Sequence, residues 1–385
     1  MEKAKWTFMV YMAGDNSLDG AALKDIAEMA RVGSTGVVNV LVQLDRVKDQ
    51  RTRRFRITKG GGYAKDCIET FAETDTGDPQ VLYNFVTWAV EQYPADRYCL
   101  ILWNHGSGWW EDAKGRASAP AGKKARKPLF RHAIQNECRS ICYDDTSEGD
   151  ALDNSELKDV LSRACTILGK KIDILGMDAC LMNMVEVAYQ LRDSVSCIVG
   201  SEIEEPFDGW PYNDILSYLT ANPDAATPVI AREFAKRYIR SYKGQGETVT
   251  QSSIDAGRIE DVMEKIDALA ATFLSSLKDC SDAVDYAWMR SPRFYDDNYI
   301  DIACFARTLK KKGNADIRAK ADDLLSSLKA GKGKAILYEG NLGKDVEGTC
   351  GLSIYFPSGK INPAYNTLDF AKDCRWADFL REYLS

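Results

Sequence analysis

Continuous apolar runs alternate with segments of helical spacing over the first two hundred residues. Trp6–Ala13 (WTFMVYMA) and Val37–Leu44 (VVNVLVQL) are rich in β-branched and aromatic residues and predict strands. Ala21–Arg31, which follows an Asp/Asn/Ser cluster at 15–17, has apolar residues three and four apart and predicts a helix. Arg53–Thr58 alternates charged and apolar residues, the pattern of an exposed strand or hairpin arm. Further along, the pattern predicts a helix over Pro79–Tyr93, a strand over Tyr98–Trp103 and a helix over Asn154–Leu168. A strand over Ile172–Gly176, a helix over Leu181–Leu191 and a strand over Ser196–Gly200 follow. Apolar strands separated by amphipathic helices predict the α/β class, with a mostly parallel sheet covered on both faces.

The second half is richer in helix, with Pro228–Tyr242, Ile259–Leu277 and Asp316–Ala330 in helical register. Three strand-like pieces lie among them: Thr248–Ile254, Lys334–Tyr338 and Gly351–Phe356. There are no repeats and no long linker. The expected organisation is a core over residues 1–250 and a helical and strand elaboration over 251–385, packed on that core.

Residues 112–139 break the pattern. This stretch is rich in Ala, Gly, Pro and Ser, and its basic residues are Lys114, Arg116, Lys123, Lys124, Arg126, Lys127, Arg131 and Arg139. It is read as an exposed basic loop, because it has too few core-forming residues to bury. The chain as a whole carries a net charge of −7, which removes the electrostatic basis for nucleic-acid binding. No run approaches eighteen apolar residues, so no membrane span is expected. The eleven cysteines are scattered and mostly lie inside apolar runs, which fits buried free thiols better than a disulfide framework.

Two strand ends carry reactive groups. The strand at 98–103 runs into Asn104, His105 and the loop GSG, and the strand at 172–176 runs into MDACLMN with Cys180. In a parallel sheet such carboxyl ends share one rim. A thiol there, ahead of a helix, is expected to feel the helix dipole and ionise more readily. An imidazole beside it supplies a base near neutral pH. Gly106 lets a backbone N–H approach a developing oxyanion, a donor worth about 3 kcal/mol in the transition state. His132 competes as base, but it lies in the basic loop with no apolar strand before it.

The chain resembles the cysteine peptidases of clan CD, which include caspases, legumains, gingipains and clostripain, and within them the clostripain-like C11 peptidases. The matching pieces are YMAGDNSLD at 11–19, ILWNHGSGW at 101–109, ICYDDTS at 141–147, LGMDACLM at 175–182 and SEIEEPFDGWPY at 201–212. The resemblance implies a caspase-like α/β/α sandwich and a Cys180–His105 dyad. It implies an oxyanion hole from the backbone N–H groups of Gly106 and Cys180, with cleavage after Arg or Lys. Asp178 and Asp208 match positions lining the S1 pocket of clostripain-like enzymes, where a carboxylate would hold a basic side chain. Glu202, Glu204 and Glu205 could add charge.

The resemblance further implies a zymogen processed between His105 and Cys180 into light and heavy chains that stay associated. The basic loop, with its eight candidate cleavage residues, lies in that interval. No cofactor is required by this reading. Calcium stays open, with acidic groups at Tyr143–Asp145 and Glu202–Glu205 as candidate ligands. The expected partners are protein or peptide substrates, the enzyme otherwise being a monomer or a light–heavy pair. Export from a bacterium is expected from the family alone. Two alternatives are a glycosidase using carboxylates of SEIEEPFD and a non-catalytic binding module of the same fold.

Overall fold

Ala4–Gly14, the first strand (β1), is buried on both faces and lies near the middle of the sheet. Its side chains alternate between two cores. Met9, Tyr11 and Ala13 join one, while Phe8, Val10 and Met12 join the other. The computed structural model describes residues 3–109, 140–295 and 297–385. The basic-loop residues Lys114 to Arg139, together with His132, lie outside the described residues.

The remaining strands are β2 (Val38–Arg46), β3 (Arg53–Arg56), β4 (Cys67–Thr70), β5 (Ala95–Trp103), β6 (Ile141–Asp144) and β7 (Asp150–Leu152). They continue with β8 (Ile172–Asp178), β9 (Val195–Gly200), β10 (Val249–Asp255), β11 (Arg293–Phe294), β12 (Tyr299–Asp301), β13 (Ile336–Leu342) and β14 (Ser353–Tyr355). Nine of them form one sheet in the order β13-β10-β9-β8-β5-β1-β2-β3-β4. The five strands from β9 to β2 are parallel, and β10 and β3 run against them. The expected mostly parallel sheet is therefore present. The chain leaves β1 for β2 on one side and later returns to β5 on the other. This reversal opens a crevice at the carboxyl ends of β1 and β5, where α/β sheets gather their ligands.

Helices cover both faces. On one side lie α1 (Asp19–Met29), α5 (Tyr212–Ala221) and α6 (Thr227–Ser241). On the other lie α2 (Pro79–Gln92), α3 (Asn154–Leu168), α4 (Val185–Leu191) and the C-terminal helices. These last are α7 (Ile259–Ser275), α8 (Leu277–Arg290), α9 (Ile302–Lys312), α10 (Ala315–Leu328), α11 (Asp369–Asp373) and α12 (Trp376–Tyr383). The α3 helix begins where the sequence predicts, because Asp153 and Glu156 form a reciprocal capping box. The expected 259–277 helix stops at Ser276, and a separate helix, α8, starts at Leu277.

The C-terminal part is not merely laid on the core. Strand β13 takes a place in the central sheet beside β10. Strands β11, β12 and β14 form a small sheet from which Tyr299 donates its hydroxyl to the Ser107 carbonyl at 2.7 Å. The loop after β5 thus rests on a residue nearly two hundred positions away. All ten described cysteines are free thiols and most are buried.

Candidate active site

The register of β5 against β8 brings the two candidate residues level. Trp103 pairs with Asp178, and Asn104 N donates to the Asp178 carbonyl at 3.2 Å. His105 and Cys180 therefore each stand two residues past the level ends of adjacent parallel strands, which run about 5 Å apart. Gly106 packs against the Cys180 backbone. A Cβ at 106 would lie 2.5 Å from the Cys180 carbonyl oxygen and 3.1 Å from the Ala179 Cβ. No side chain larger than hydrogen fits there without moving the backbone.

His105 is 5% exposed, and its Nε2 lies 3.1 Å from Ser17 Oγ. Ser17 sits just past β1, in the GDNS stretch at 14–17. Burial lowers the His105 pKa to about 4, so the ring is neutral at physiological pH. Asn16 and Asn104 brace the surrounding loops, each donating its side-chain amide to the carbonyls of Ala13 and Tyr143. Ser17 carried no special weight in the sequence. What connects it to His105 is the adjacency of β1 and β5, a long-range fact no local pattern states.

Cys180 is 3% exposed, and its Sγ accepts a hydrogen bond from Glu205 N at 3.3 Å. The helix expected from Leu181 begins only at Val185, with Met184 as its N-cap. The intervening turn includes Leu181 at φ +66°, and Leu181 N and Asn183 N bond to the carbonyls of Ile203 and Ser201. Those bonds to the segment after β9 hold the turn open and postpone the helix. The dipole of α4 therefore starts too far from Cys180 to favour its ionisation as expected, since such fields fade within the first turn.

Beside Cys180 lies a narrow acidic cleft lined by Leu18, Trp103, Asp178, Glu205, Phe207 and Gly209, among others. Its open space is about 20 Å³, room for about one water molecule. Asp178 is buried and accepts from Tyr212 Oη at 2.7 Å. Desolvation raises the pKa of both Asp178 and Glu205, and the hydrogen bond between them lowers the first while raising the second. Both carboxyls are thus harder to ionise than in water, Glu205 the more so. Asp25, which accepts from Trp103 Nε1 at 2.8 Å, is a third buried acid in range of Asp178.

Asp208 behaves differently. Its neighbours Phe207 and Gly209 line the cleft but Asp208 does not, and its carboxylate pairs at 2.5 Å with Lys24 of α1 at the surface. Glu204 likewise does not line the cleft. Glu202 is buried against Asp301 and Thr349 and does not line the cleft. Of the acidic residues considered for calcium, Asp144 is bonded by Thr76, Thr146 and Ser147. Among the described residues the three carboxylates that converge are instead Asp15, Asp45 and Glu73.

The ends flanking the basic loop are held together. Gly106 bridges Ile141, Ser107 N donates to the Ser140 carbonyl at 3.0 Å, and Asn154 Nδ2 donates to the Trp109 carbonyl at 2.6 Å.

A family model described as the clostripain family matches residues 10–383. Clostripain of Hathewaya histolytica is 26% identical over an alignment covering 92% of this chain and 75% of that protein. Among solved structures, a secreted C11 cysteine protease of Bacteroides thetaiotaomicron in complex with an irreversible peptide inhibitor superposes with a TM-score of 0.67. It is 22% identical, and the match covers 98% of this chain and 99% of that one. An inactive zymogen C11 protease of Parabacteroides distasonis has a TM-score of 0.70 at 21% identity, covering 97% and 99%. At these identities the structures establish the fold, while the family match runs along nearly the whole chain. With a mostly parallel sheet, His105 and Cys180 level on its rim and that match, the chain belongs to the clostripain family of C11 cysteine peptidases.

Proposed function

We propose that this protein is an endopeptidase cutting after Arg or Lys, with Cys180 as nucleophile and His105 as general base and acid. The observation that carries the specificity is the buried pair of Asp178 and Glu205 beside Cys180. A guanidinium or ammonium entering the cleft would meet an ionised carboxylate already desolvated by the protein. Charge-assisted bonds are strongest in such a place. An acidic P1 side chain would meet the same charge and be repelled.

His105 takes the thiol proton, Cys180 Sγ attacks the scissile carbonyl carbon, and the oxyanion is received by the backbone N–H groups of Gly106 and Cys180. His105 then gives its proton to the leaving amine, and water hydrolyses the acyl-enzyme with His105 as base. Ser17, on Nε2, orients the ring so that its other nitrogen serves the reaction.

The chain acts first on itself. The cleft holds about one water, so a basic side chain enters only after Lys24, Asp208 and the 205–209 loop give way. The basic loop at 112–139 supplies the bond to be cut, at one of Lys114, Arg116, Lys123, Lys124, Arg126, Lys127, Arg131 or Arg139. The resulting light and heavy chains stay together as one enzyme. Secretion of the Bacteroides thetaiotaomicron relative supports an exported role, and among the described residues no helix is long and apolar enough to cross a membrane.

The test compares fluorogenic peptides ending in Arg, Lys, Asp and Leu on the wild type and Cys180→Ala. Cleavage after Arg or Lys by the wild type alone is expected. Equal cleavage after Leu or Asp would end the specificity reading, and activity surviving in Cys180→Ala would end the nucleophile assignment.

A further inference from the structure

Two thiols outside the catalytic cleft are brought together by the small sheet of the C-terminal part. Strands β12 and β14 pair Tyr299 with Tyr355, Ile300 with Ile354 and Asp301 with Ser353. Ile302 N carries the ladder one step further, onto the Leu352 carbonyl at 3.3 Å. Extended by two more residues, the same register reaches Cys304 and Cys350. The chain turns into α9 at this point, and Asp301 keeps the two segments together. As the N-cap of α9 it accepts from Cys304 N at 2.6 Å on Oδ1, and from Cys350 N at 2.7 Å on Oδ2.

The thiols converge on the same group. Both lie within hydrogen-bonding reach of the buried Asp301 carboxylate. Cys304 Sγ also lies 3.3 Å from the carbonyl oxygen of Gly348, two residues before Cys350, and accepts from Arg307 Nη2 at 3.1 Å. Arg307 Nη2 contacts the Gly348 carbonyl as well. Two N–H groups seated on the two oxygens of one carboxyl group leave their Cα atoms about as far apart as a disulfide spans, ~4.4–6.8 Å.

We propose that Cys304 and Cys350 form an intrachain disulfide where the protein meets a disulfide oxidant. Both thiols are free in the structure, and neither lines the cleft. Cys304 is half-buried and Cys350 is buried, so Cys304 meets the oxidant first. Its thiolate attacks the oxidant's disulfide and expels one thiolate, leaving a mixed disulfide. Cys350 Sγ then attacks Cys304 Sγ and expels the second. The protein gives up two protons and two electrons, and the oxidant is reduced to two thiols. Burial, with the Asp301 charge, pushes the Cys304 pKa up to about 12, and Arg307 works the other way. Exchange in the folded protein is therefore slow, and the bond forms most readily while the segment around Cys350 is still closing over α9.

The bond has a structural task behind the nucleophile. The Gly351 carbonyl accepts from Asn183 Nδ2 at 2.8 Å and Ser252 Oγ at 2.7 Å, and Ser353 N donates to the Asn183 carbonyl at 3.1 Å. Asn183 lies three residues after Cys180, in the turn that precedes α4. Gly351 has φ +73°, and a Cβ there would stand 2.4 Å from Ser252 Cβ, so the segment is seated closely. A covalent tie from Cys350 to α9 removes open conformations of this segment. It takes no part in bond breaking; it sets how firmly the turn carrying Cys180 is backed.

The inference is independent of the peptidase reading, because its test reads a bond and a melting temperature in an inactive chain. Full-length Cys180→Ala is produced in a bacterial periplasm, where it folds under oxidising conditions. Free thiols are blocked with N-ethylmaleimide in denaturant, and the unreduced chain is digested and mapped by mass spectrometry. One bridge is expected, joining the peptides of Cys304 and Cys350, with the other cysteines alkylated. Dithiothreitol should lower the Tm of the bridged protein by several degrees. Cys304→Ser and, independently, Cys350→Ser should lack the bridge and show no Tm change with dithiothreitol. Cys304→Ser, at the more exposed position, keeps the test sharp should Cys350→Ser fail to fold. Alkylation of both Cys304 and Cys350 in the folded product, or a bridge from either to another cysteine, would overturn the proposal. A Tm unmoved by reduction of the mapped bridge would overturn its bracing task.

Discussion

A Cβ on residue 106 would stand 2.5 Å from the carbonyl oxygen of Cys180, so these two residues can be neighbours only because position 106 is glycine. The φ of Gly106 is not in the left-handed region, and the requirement is one of space. Gly106→Ala should push the His105 loop off the Cys180 turn. The expected result is a fall in kcat of about 10²-fold, from a displaced oxyanion donor. The stability loss should be ~1–3 kcal/mol, typical of overpacking. Paired measurement of kcat and the urea midpoint checks it. An alanine variant with full kcat would mean that the close contact does not matter to the chemistry.

The burial of His105 gives a pH signature. Its folded pKa is about 4 against an ordinary 6.5, so between those values the unfolded chain binds more protons than the folded one. Stability from this group is complete above about pH 6.5 and is lost as the pH falls toward 4. The full difference is about 3 kcal/mol. Chemical denaturation of Cys180→Ala and of Cys180→Ala/His105→Gln from pH 7 to 4 isolates the effect, since the buried carboxylates are common to both. The double variant should lose less stability on acidification. Parallel curves would show that His105 titrates normally.

Asp178 and Asp208 should separate in mutagenesis although the family pattern pairs them. Asp178 is buried in the cleft wall, while Asp208 is exposed and held by Lys24. Asp178→Asn should lower kcat/KM on Arg and Lys peptides by about 10²-fold or more, the scale of a lost buried charge partner. Asp208→Asn should change it by less than about fivefold, as for a surface ion pair. Equal losses in both would return Asp208 to the binding pocket.

Cleavage in the basic loop should not separate the chains. The light chain would carry β1 and β5 and the heavy chain β8, and β5 pairs with β8 over five residues from Cys99 to Trp103. Gly106 also bridges Ile141 across the cut interval. Matured protein should elute as one species near its uncut size and split into two bands only in denaturant. Two separate peaks without denaturant would contradict this account.

Much of the architecture is legible in the residues because the buried strands are long apolar runs. Trp6–Ala13 and Val37–Leu44 could hardly be anything else, and the α3 capping box marks its start to the residue. His105 and Cys180 stand out because each ends such a run. What stays hidden depends on contacts between distant segments. The late start of α4 follows from hydrogen bonds to 201 and 203. Ser17, Asp25 and Tyr212 are ordinary polar residues until the sheet order brings them to His105 and Asp178. The carboxylates at 15, 45 and 73 converge for the same reason.

The central claim is that Cys180, served by His105, is the attacking thiol. The direct measurement treats the matured enzyme with an Arg-directed acyloxymethyl ketone and locates the adduct by peptide mass spectrometry. One adduct per molecule on Cys180, with a labelling rate at least a hundredfold lower in His105→Ala, is the predicted result. Labelling spread over several of the other cysteines, or undiminished in His105→Ala, would contradict it.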